Sequence, residues 1–260
     1  MRRVSCARVM LGGGLIAAIS GCVALPPNAK PAPQDPWESW NRGVYKVNDK
    51  LDRAVAKPLA RTYVRAVPAP ARTGIGNFLS NLHTTTVLVN DALQGKFGAA
   101  ANDFARLIVN TTVGFGGLLD PATQMGLDKN EEDFGQTLGH WGVPPGPFLE
   151  IPGLGPSDTR DGPAKVVDIF TGPTHYIGNN WVSYGIYGVG LVDARAGLLP
   201  LDETLQKVFD PYAFVRDAYL QRRAYLVSDG KVTDEVLVDP GADDTDTPAP
   251  PTPPDAAKKP

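Results

Sequence analysis

Glycine and proline punctuate this chain from end to end, 28 and 25 of them in 260 residues. Interruptions at that density work against a long regular sheet or one long bundle and favour short helices joined by frequent bends. No segment alternates apolar and polar residues convincingly, and no internal repeat is evident. The expected fold class is therefore all-α. The net charge of −3 supplies no global basic field, which argues against nucleic acid as a partner.

The first residues read as an export signal. Arg2, Arg3 and Arg8 form a positive start, and Val9 to Ile19 is an apolar stretch containing Gly12, Gly13 and Gly14. It is too short to span a bilayer and fits the apolar region of a signal peptide. It ends in Ile19-Ser20-Gly21-Cys22, which resembles a lipobox: an aliphatic residue and two small ones before the cysteine that receives diacylglycerol. Ile19 stands where leucine is more usual. Val23, in place of aspartate, resembles the pattern of lipoproteins sent on to the outer membrane. An ordinary cleaved signal with an incidental cysteine is the alternative. The other cysteine is Cys6, so the body has none, and neither a disulfide framework nor a thiol nucleophile is expected there. Cleavage before Cys22 would remove three of the 25 basic residues against 28 acidic ones, leaving −6.

The chain divides into a signal over residues 1–21, a Pro/Ala-rich tether over 22–34, a helical body over 35–238 and a tail over 239–260. The tail holds Pro, Asp, Thr and Ala but no aromatic or large aliphatic residue, so it is expected to be disordered. In the body, Trp37, Trp40, Val44, Val47, Leu51 and Val55 recur at helical steps as one apolar stripe, with Asp35-Pro36 as N-cap and first residue. Pro58 is expected to interrupt this helix; a short second one runs to about Ala66, before Pro68 and Pro70. A helix or helix pair follows over 77–93, ending at Gly95. Phe97, Ala101, Phe104, Ile108 and Thr111 mark another, running into the glycine-rich stretch Val113 to Leu118. The segment 134–163 reads as ordered loop, with Glu132 and Asp133 on a solvated turn. Ala164 to Phe170 is a candidate helix. Tyr176 to Val192 carries no formal charge; it fits a buried core helix or a membrane-interface segment displaying aromatics. Closing helices are expected after Asp202 and from Asp210-Pro211 to near Gly230.

Catalytic signatures are missing from the sequence. His83, His140 and His175 belong to no metal-spaced motif, no serine sits in a G-x-S-x-G elbow, and no phosphate-binding loop is present. The run Gly114-Phe115-Gly116-Gly117 fails the dinucleotide spacing because residue 119 is leucine. No cofactor and no enzymatic activity are expected.

Several runs of residues are specific. Asp35-Pro36-Trp37-Glu38 with Asn41-Arg42 and Tyr45, then Asn90 to Lys96, Asn110 to Gly117, Asp133 to Gly139 with Trp141-Gly142-Val143, Gly155-Pro156-Ser157 with Arg160-Asp161, and Asp210-Pro211-Tyr212 with Arg216 to Arg223 occur in order. Together they resemble the MlaA (VacJ) family of outer-membrane phospholipid-transport lipoproteins, over about Asp35 to Gly230. The resemblance implies a ring-like helical body in one leaflet of the outer membrane, with an amphipathic channel. It implies removal of misplaced phospholipids from the outer leaflet and handover to a periplasmic phospholipid-binding protein, in association with a porin trimer. A lipoprotein that stabilises porins or the envelope without moving lipid would share the anchor and the embedded helices.

Three sets of residues are singled out as sites. Cys22 is the candidate lipidation site. Gly114, Gly116 and Gly117 are candidate channel or gating residues, or else a helix C-cap and turn. Arg216, Arg222 and Arg223 are candidate headgroup or partner contacts, or else partners of the body's own carboxylates.

Overall fold

The structure, a computed structural model, describes residues 32–231. The lipobox with Cys22, most of the tether, and the tail lie outside the described residues. Among the described residues, ten α-helices carry the body: α1 Glu38–Leu51, α2 Lys57–Ala66, α3 Ala69–Leu93, α4 Phe97–Thr112, α5 Pro121–Gln124, α6 Phe134–His140, α7 Asp161–Thr171, α8 Asn180–Gly197, α9 Asp202–Lys207 and α10 Pro211–Val227. A two-stranded antiparallel hairpin, β1 Phe148–Ile151 and β2 Gly155–Asp158, is the sole sheet among the described residues. The all-α expectation holds.

Three local expectations are corrected. Segment 134–163 is not loop throughout: it contains α6 and the hairpin, which pairs Phe148 with Asp158 and Ile151 with Gly155. Two four-residue strands, the second beginning Gly-Pro, leave too little alternation to detect. Second, Asp35 does not cap α1. Its carboxylate is buried and accepts from Asn41 at 2.7 Å and from the Tyr212 hydroxyl. Third, Pro58 does not end the helix. A π-helical turn, Asp52–Ala56, joins α1 to α2, and the Lys57 N–H donates to Asp52 five residues back. The wider turn absorbs the proline ring, which would otherwise press on the carbonyl four residues earlier.

Side chains of α1 also complete the sheet edge. Asn41 donates to the Phe148 carbonyl at 3.1 Å and accepts from the Glu150 N–H at 2.9 Å. Asn48, two turns on, donates to the Ile151 carbonyl at 3.0 Å and accepts from the Gly153 N–H at 2.7 Å. The two amides serve β1 as a third strand would, so the hairpin edge is covered rather than open.

The distribution of polarity is inverted relative to a water-soluble helical domain. Among the described residues, eight apolar side chains are buried, four of them alanine, against 21 polar or charged ones. α3 and α4 form a hairpin about Gly95, whose φ is +74°. Their buried residues include Asn81, Asn90 and Asp91 from one helix and Asp103, Arg106 and Asn110 from the other. Phe97, Phe104 and Ile108 project outward instead. The stripe on α1 behaves alike: Val44 is buried, while Trp37, Trp40, Val47, Leu51 and Val55 are exposed. Periodicity identifies both helices but says nothing about which face turns inward.

Tyr176 to Val192 falls mostly in α8, and the buried-core alternative is overturned. Trp181 is 84 % exposed and Leu191 68 %, and only Ser183 in the helix is buried. Its polar end holds it in place: Tyr63 donates to Asp193 at 2.8 Å, and Arg195 pairs with Asp52 at 2.6 Å and Asp202 at 2.8 Å. No helix among the described residues is long and apolar enough to cross a membrane.

Asp91 and Asp103 face each other in the α3–α4 seam, both buried. Burial, with the Asp103 carboxyl beside it, pushes Asp91 up to about 7. Between its ordinary value and about 7, the folded protein holds a proton there that the unfolded chain releases. That stability is complete at low pH and is lost as pH rises toward 7. Asp91→Asn keeps the shape and supplies an amide that can donate to the Asp103 carboxylate, without the titration. Its melting temperature is expected to exceed that of the parent protein by more at pH 8 than at pH 5; equal differences at both would remove this carboxyl as the cause.

Candidate functional site

The glycine-rich turn after α4 is built from backbone. Gly116 N–H donates to the Thr111 carbonyl at 2.9 Å and Gly117 N–H to the Asn110 carbonyl at 2.8 Å, closing the helix end. Gly116 and Gly117 have φ of +72° and +93°, where only glycine is relaxed. Gly114 has an ordinary φ, but a Cβ there would collide with the carbonyls of Asn110 and Leu119. The turn therefore needs all three glycines for shape, whatever else they do.

Their positions predict graded effects. Gly116 faces open space, so Gly116→Ala is expected to cost on the order of 1 kcal/mol for the left-handed backbone alone. A Cβ on Gly117 would lie 2.6 Å from that of Asn81, so Gly117→Val adds overlap to strain, about 2–4 kcal/mol together. Denaturant titration of the detergent-solubilised variants measures both; equal losses would refute the geometric distinction.

One feature of this turn was not legible in the sequence. Phe115, between two glycines, takes φ +54° and is 75 % exposed. A bulky residue held in the left-handed region stores strain, a pattern that clusters at functional sites. With Val113, Leu118 and Leu119 it makes an apolar projection. Beside it lies a groove of about 510 Å3 lined by Thr73, Asn77, Asp120, Thr123, Val113 and Leu119, among others. Arg106 holds Asp120 at 3.1 Å, and Asn110 donates to it at 2.9 Å. Burial raises the Asp120 carboxyl, but the Thr123 and Asn110 hydrogen bonds and Arg106 hold it below its ordinary value. Polar and apolar walls thus meet in one depression, a lining suited to an amphiphile.

The arginines of α10 are engaged within the chain. Arg216 pairs with Asp217 at 2.7 Å and reaches Asp35 at 3.4 Å. Arg223 donates to both oxygens of Asp133, at 2.6 and 3.0 Å, and pairs with the buried Asp161. Arg222 is different: it and its partner Glu131, 2.6 Å away, are both exposed.

Asp133 and Glu132 do not sit on a solvated turn. Asp133 caps α6 by accepting from the Gln136 N–H at 2.8 Å, and Glu132 is buried, bonded to Gln94 at 2.8 Å and Lys96 at 2.8 Å. Tyr212, at the start of α10, packs edge-on to Phe148 and Tyr45, with Arg42 stacked 4.5 Å over its ring and bonded to Asp210. The residues that carry the resemblance therefore meet: the opening run against Asp210-Pro211-Tyr212, and Asp133-Phe134-Gly135 against Asp161 and Arg223. No cluster of His, Cys, Asp and Glu able to hold a metal occurs among the described residues.

Residues 33–226 match the family described as MlaA lipoprotein. The intermembrane phospholipid transport system lipoprotein MlaA of Escherichia coli is 36% identical over 203 residues, covering 76% of this chain and 80% of that protein. Its namesake in Haemophilus influenzae is 34% identical over 206 residues, covering 77% and 82%. A structure solved in work on the structural basis for maintenance of bacterial outer membrane lipid asymmetry superposes with a TM-score of 0.67 at 37% identity, over 74% of this chain and 98% of that one. An all-α body turned polar-side-in and this extent of likeness have one reading: the chain belongs to the MlaA lipoprotein family.

Proposed function

We propose that this lipoprotein removes mislocalised phospholipids from the outer leaflet of the outer membrane and passes them to a periplasmic phospholipid-binding protein, keeping the membrane asymmetric. It does so from within the leaflet, anchored through Cys22 and seated beside a porin trimer. The observation that carries this reading is the inverted polarity: aliphatic and aromatic side chains of α1, α4 and α8 face outward, and carboxylates, amides and guanidinium groups face inward. Outward apolar faces are satisfied by acyl chains. A phospholipid crossing a leaflet needs a polar path for its headgroup, and an interior of this kind supplies one. The glycine turn, Phe115 and the adjoining groove are the segment best built to admit or hold back lipid. No step requires a covalent intermediate, so the protein acts as a conduit rather than an enzyme.

Reconstitution tests this reading. Vesicles carrying the full lipoprotein and labelled phospholipid should deliver label to the soluble periplasmic acceptor, and vesicles without it should not. Equal delivery from both would leave only the porin- or envelope-stabilising role. A Phe115→Ala variant matched for abundance should change the delivery rate; an unchanged rate would remove this turn from the lipid path.

A further inference from the structure

The helix running from Glu38 to Ala66 carries a second stripe, unrelated to the polar interior. Lys46, Lys50, Arg53, Lys57, Arg61 and Arg65 recur at steps of four, three, four, four and four residues. Steps of four drift around an α-helix by about 40° each. The π-helical turn Asp52–Ala56 winds the chain less per residue and takes up that drift, so the stripe stays straight across α1 and α2. Arg53 bonds Asp49 and Lys57 bonds Asp202. Lys46, Lys50, Arg61 and Arg65 are exposed and make no ion pair among the described residues. Charge is segregated on a larger scale too. Between Asp52 and Asp91 the sequence has no acidic residue, although the chain as a whole is net negative.

The same π turn keeps a neighbouring stripe in line. Val47, Leu51, Val55 and Leu59, at four-residue steps, are all exposed and run beside the basic one. An exposed aliphatic stripe bordered lengthwise by exposed Lys and Arg is the arrangement of a helix lying in a membrane interface, with acyl chains on one side and headgroup phosphates on the other. A soluble acidic partner would account for the basic stripe but would leave the aliphatic one in water.

We propose that the α1–α2 helix is a binding surface for anionic phospholipid headgroups, which Lys46, Lys50, Arg61 and Arg65 concentrate beside the body. The inference rests on the bilayer-embedded reading above and names the lipid class that gathers at this edge. The partner is recognised by phosphate and net negative charge, as in phosphatidylglycerol, against zwitterionic phosphatidylcholine.

The test uses the full lipoprotein reconstituted in phosphatidylcholine vesicles containing a small fraction of dansyl-labelled phosphatidylglycerol or, in parallel, dansyl-labelled phosphatidylcholine. In a Trp141→Phe/Trp181→Phe background, energy transfer from Trp37 and Trp40, at the start of the same helix, reports local lipid. Phosphatidylglycerol should be enriched roughly three- to tenfold over phosphatidylcholine at low salt, and enrichment should collapse at high salt. The variant K46Q/K50Q/R61Q/R65Q should lose it. The charge-preserving pair R61K/R65K should retain it, which separates a charge effect from a folding defect. Equal transfer from both labelled lipids, or undiminished enrichment in the quadruple variant, would overturn the proposal. So would loss of enrichment alongside a salt-sensitive complex with the periplasmic acceptor that depends on the four residues. Delivery of lipid to the acceptor without such enrichment would overturn this inference and leave the transport reading standing.

Discussion

Arg223→Ala is expected to lose about 3–5 kcal/mol, a large share of what holds a domain together. The Arg223 side chain is 11 % exposed and that of Asp161 3 %. One guanidinium ties three elements: α10, which carries it, the Asp133 cap of α6 and Asp161 at the start of α7. Burial pushes both carboxyls up, and their hydrogen-bonded guanidinium partners outweigh it, Arg223 at Asp133 and Arg160 with Arg223 at Asp161, so both sit below the ordinary value. Without Arg223, Asp133 is left a half-buried charge with no cation, whereas Asp161 keeps Arg160 at 2.8 Å and Tyr219 at 2.8 Å. Arg223→Lys should recover only part of the loss, because an ammonium cannot fork across two carboxylates. The pH dependence has a definite sign. In the parent protein the depressed carboxyls stabilise fully above their ordinary value, and that contribution is lost as pH falls below it through their lower folded values. In the variant, protonation relieves an unpaired charge, so the difference between the two proteins should shrink from pH 7 to pH 4. Denaturant titration at both values checks this. Parental stability combined with impaired lipid delivery would instead assign Arg223 to a headgroup or partner.

The second large effect is expected at the outward face of α4. Phe104 and Ile108 are exposed, one turn apart, and bear no structural duty inside the body. In water, replacing them by aspartate would change stability by roughly 0.5 kcal/mol or less each. In a hydrocarbon layer an aspartate costs about 2.5–3.5 kcal/mol at mid-depth. The double variant Phe104→Asp/Ile108→Asp should therefore fold normally in detergent but leave the bilayer. Measured in a Cys22→Ser background, which removes the proposed acyl anchor, partitioning into vesicles should fall on the order of ten-thousandfold. Unchanged partitioning would mean that α4 faces water or a protein, and the embedded reading would fail.

Much of the architecture was legible because helices announce themselves locally. The Asp210-Pro211 start of α10 and the glycine stop at Gly95 each rest on interactions within a few residues, and each stands where the sequence puts it. The π turn was not legible, since a proline at position 58 reads as a break unless the preceding turn is known to widen. The hairpin was missed because its edge is satisfied by Asn41 and Asn48, more than 100 residues away. Separation along the chain likewise hid Asp35 from Arg216, and Asp133 and Asp161 from Arg223.

By itself the sequence determined that the chain is mostly helical, where several of the helices begin and end, and which family the chain resembles. Only the tertiary structure decided orientation. A hydrophobic stripe has the same period whether it faces a core or a bilayer, because periodicity records amphipathicity and not its direction. What sets the direction is where the buried polar groups find partners. Asp35 with Tyr212, Gln94 with Glu132 and Arg223 with Asp133 are joined across 177, 38 and 90 positions. Once those pairs close inward, the aliphatic faces of α1, α4 and α8 have nowhere to go but out.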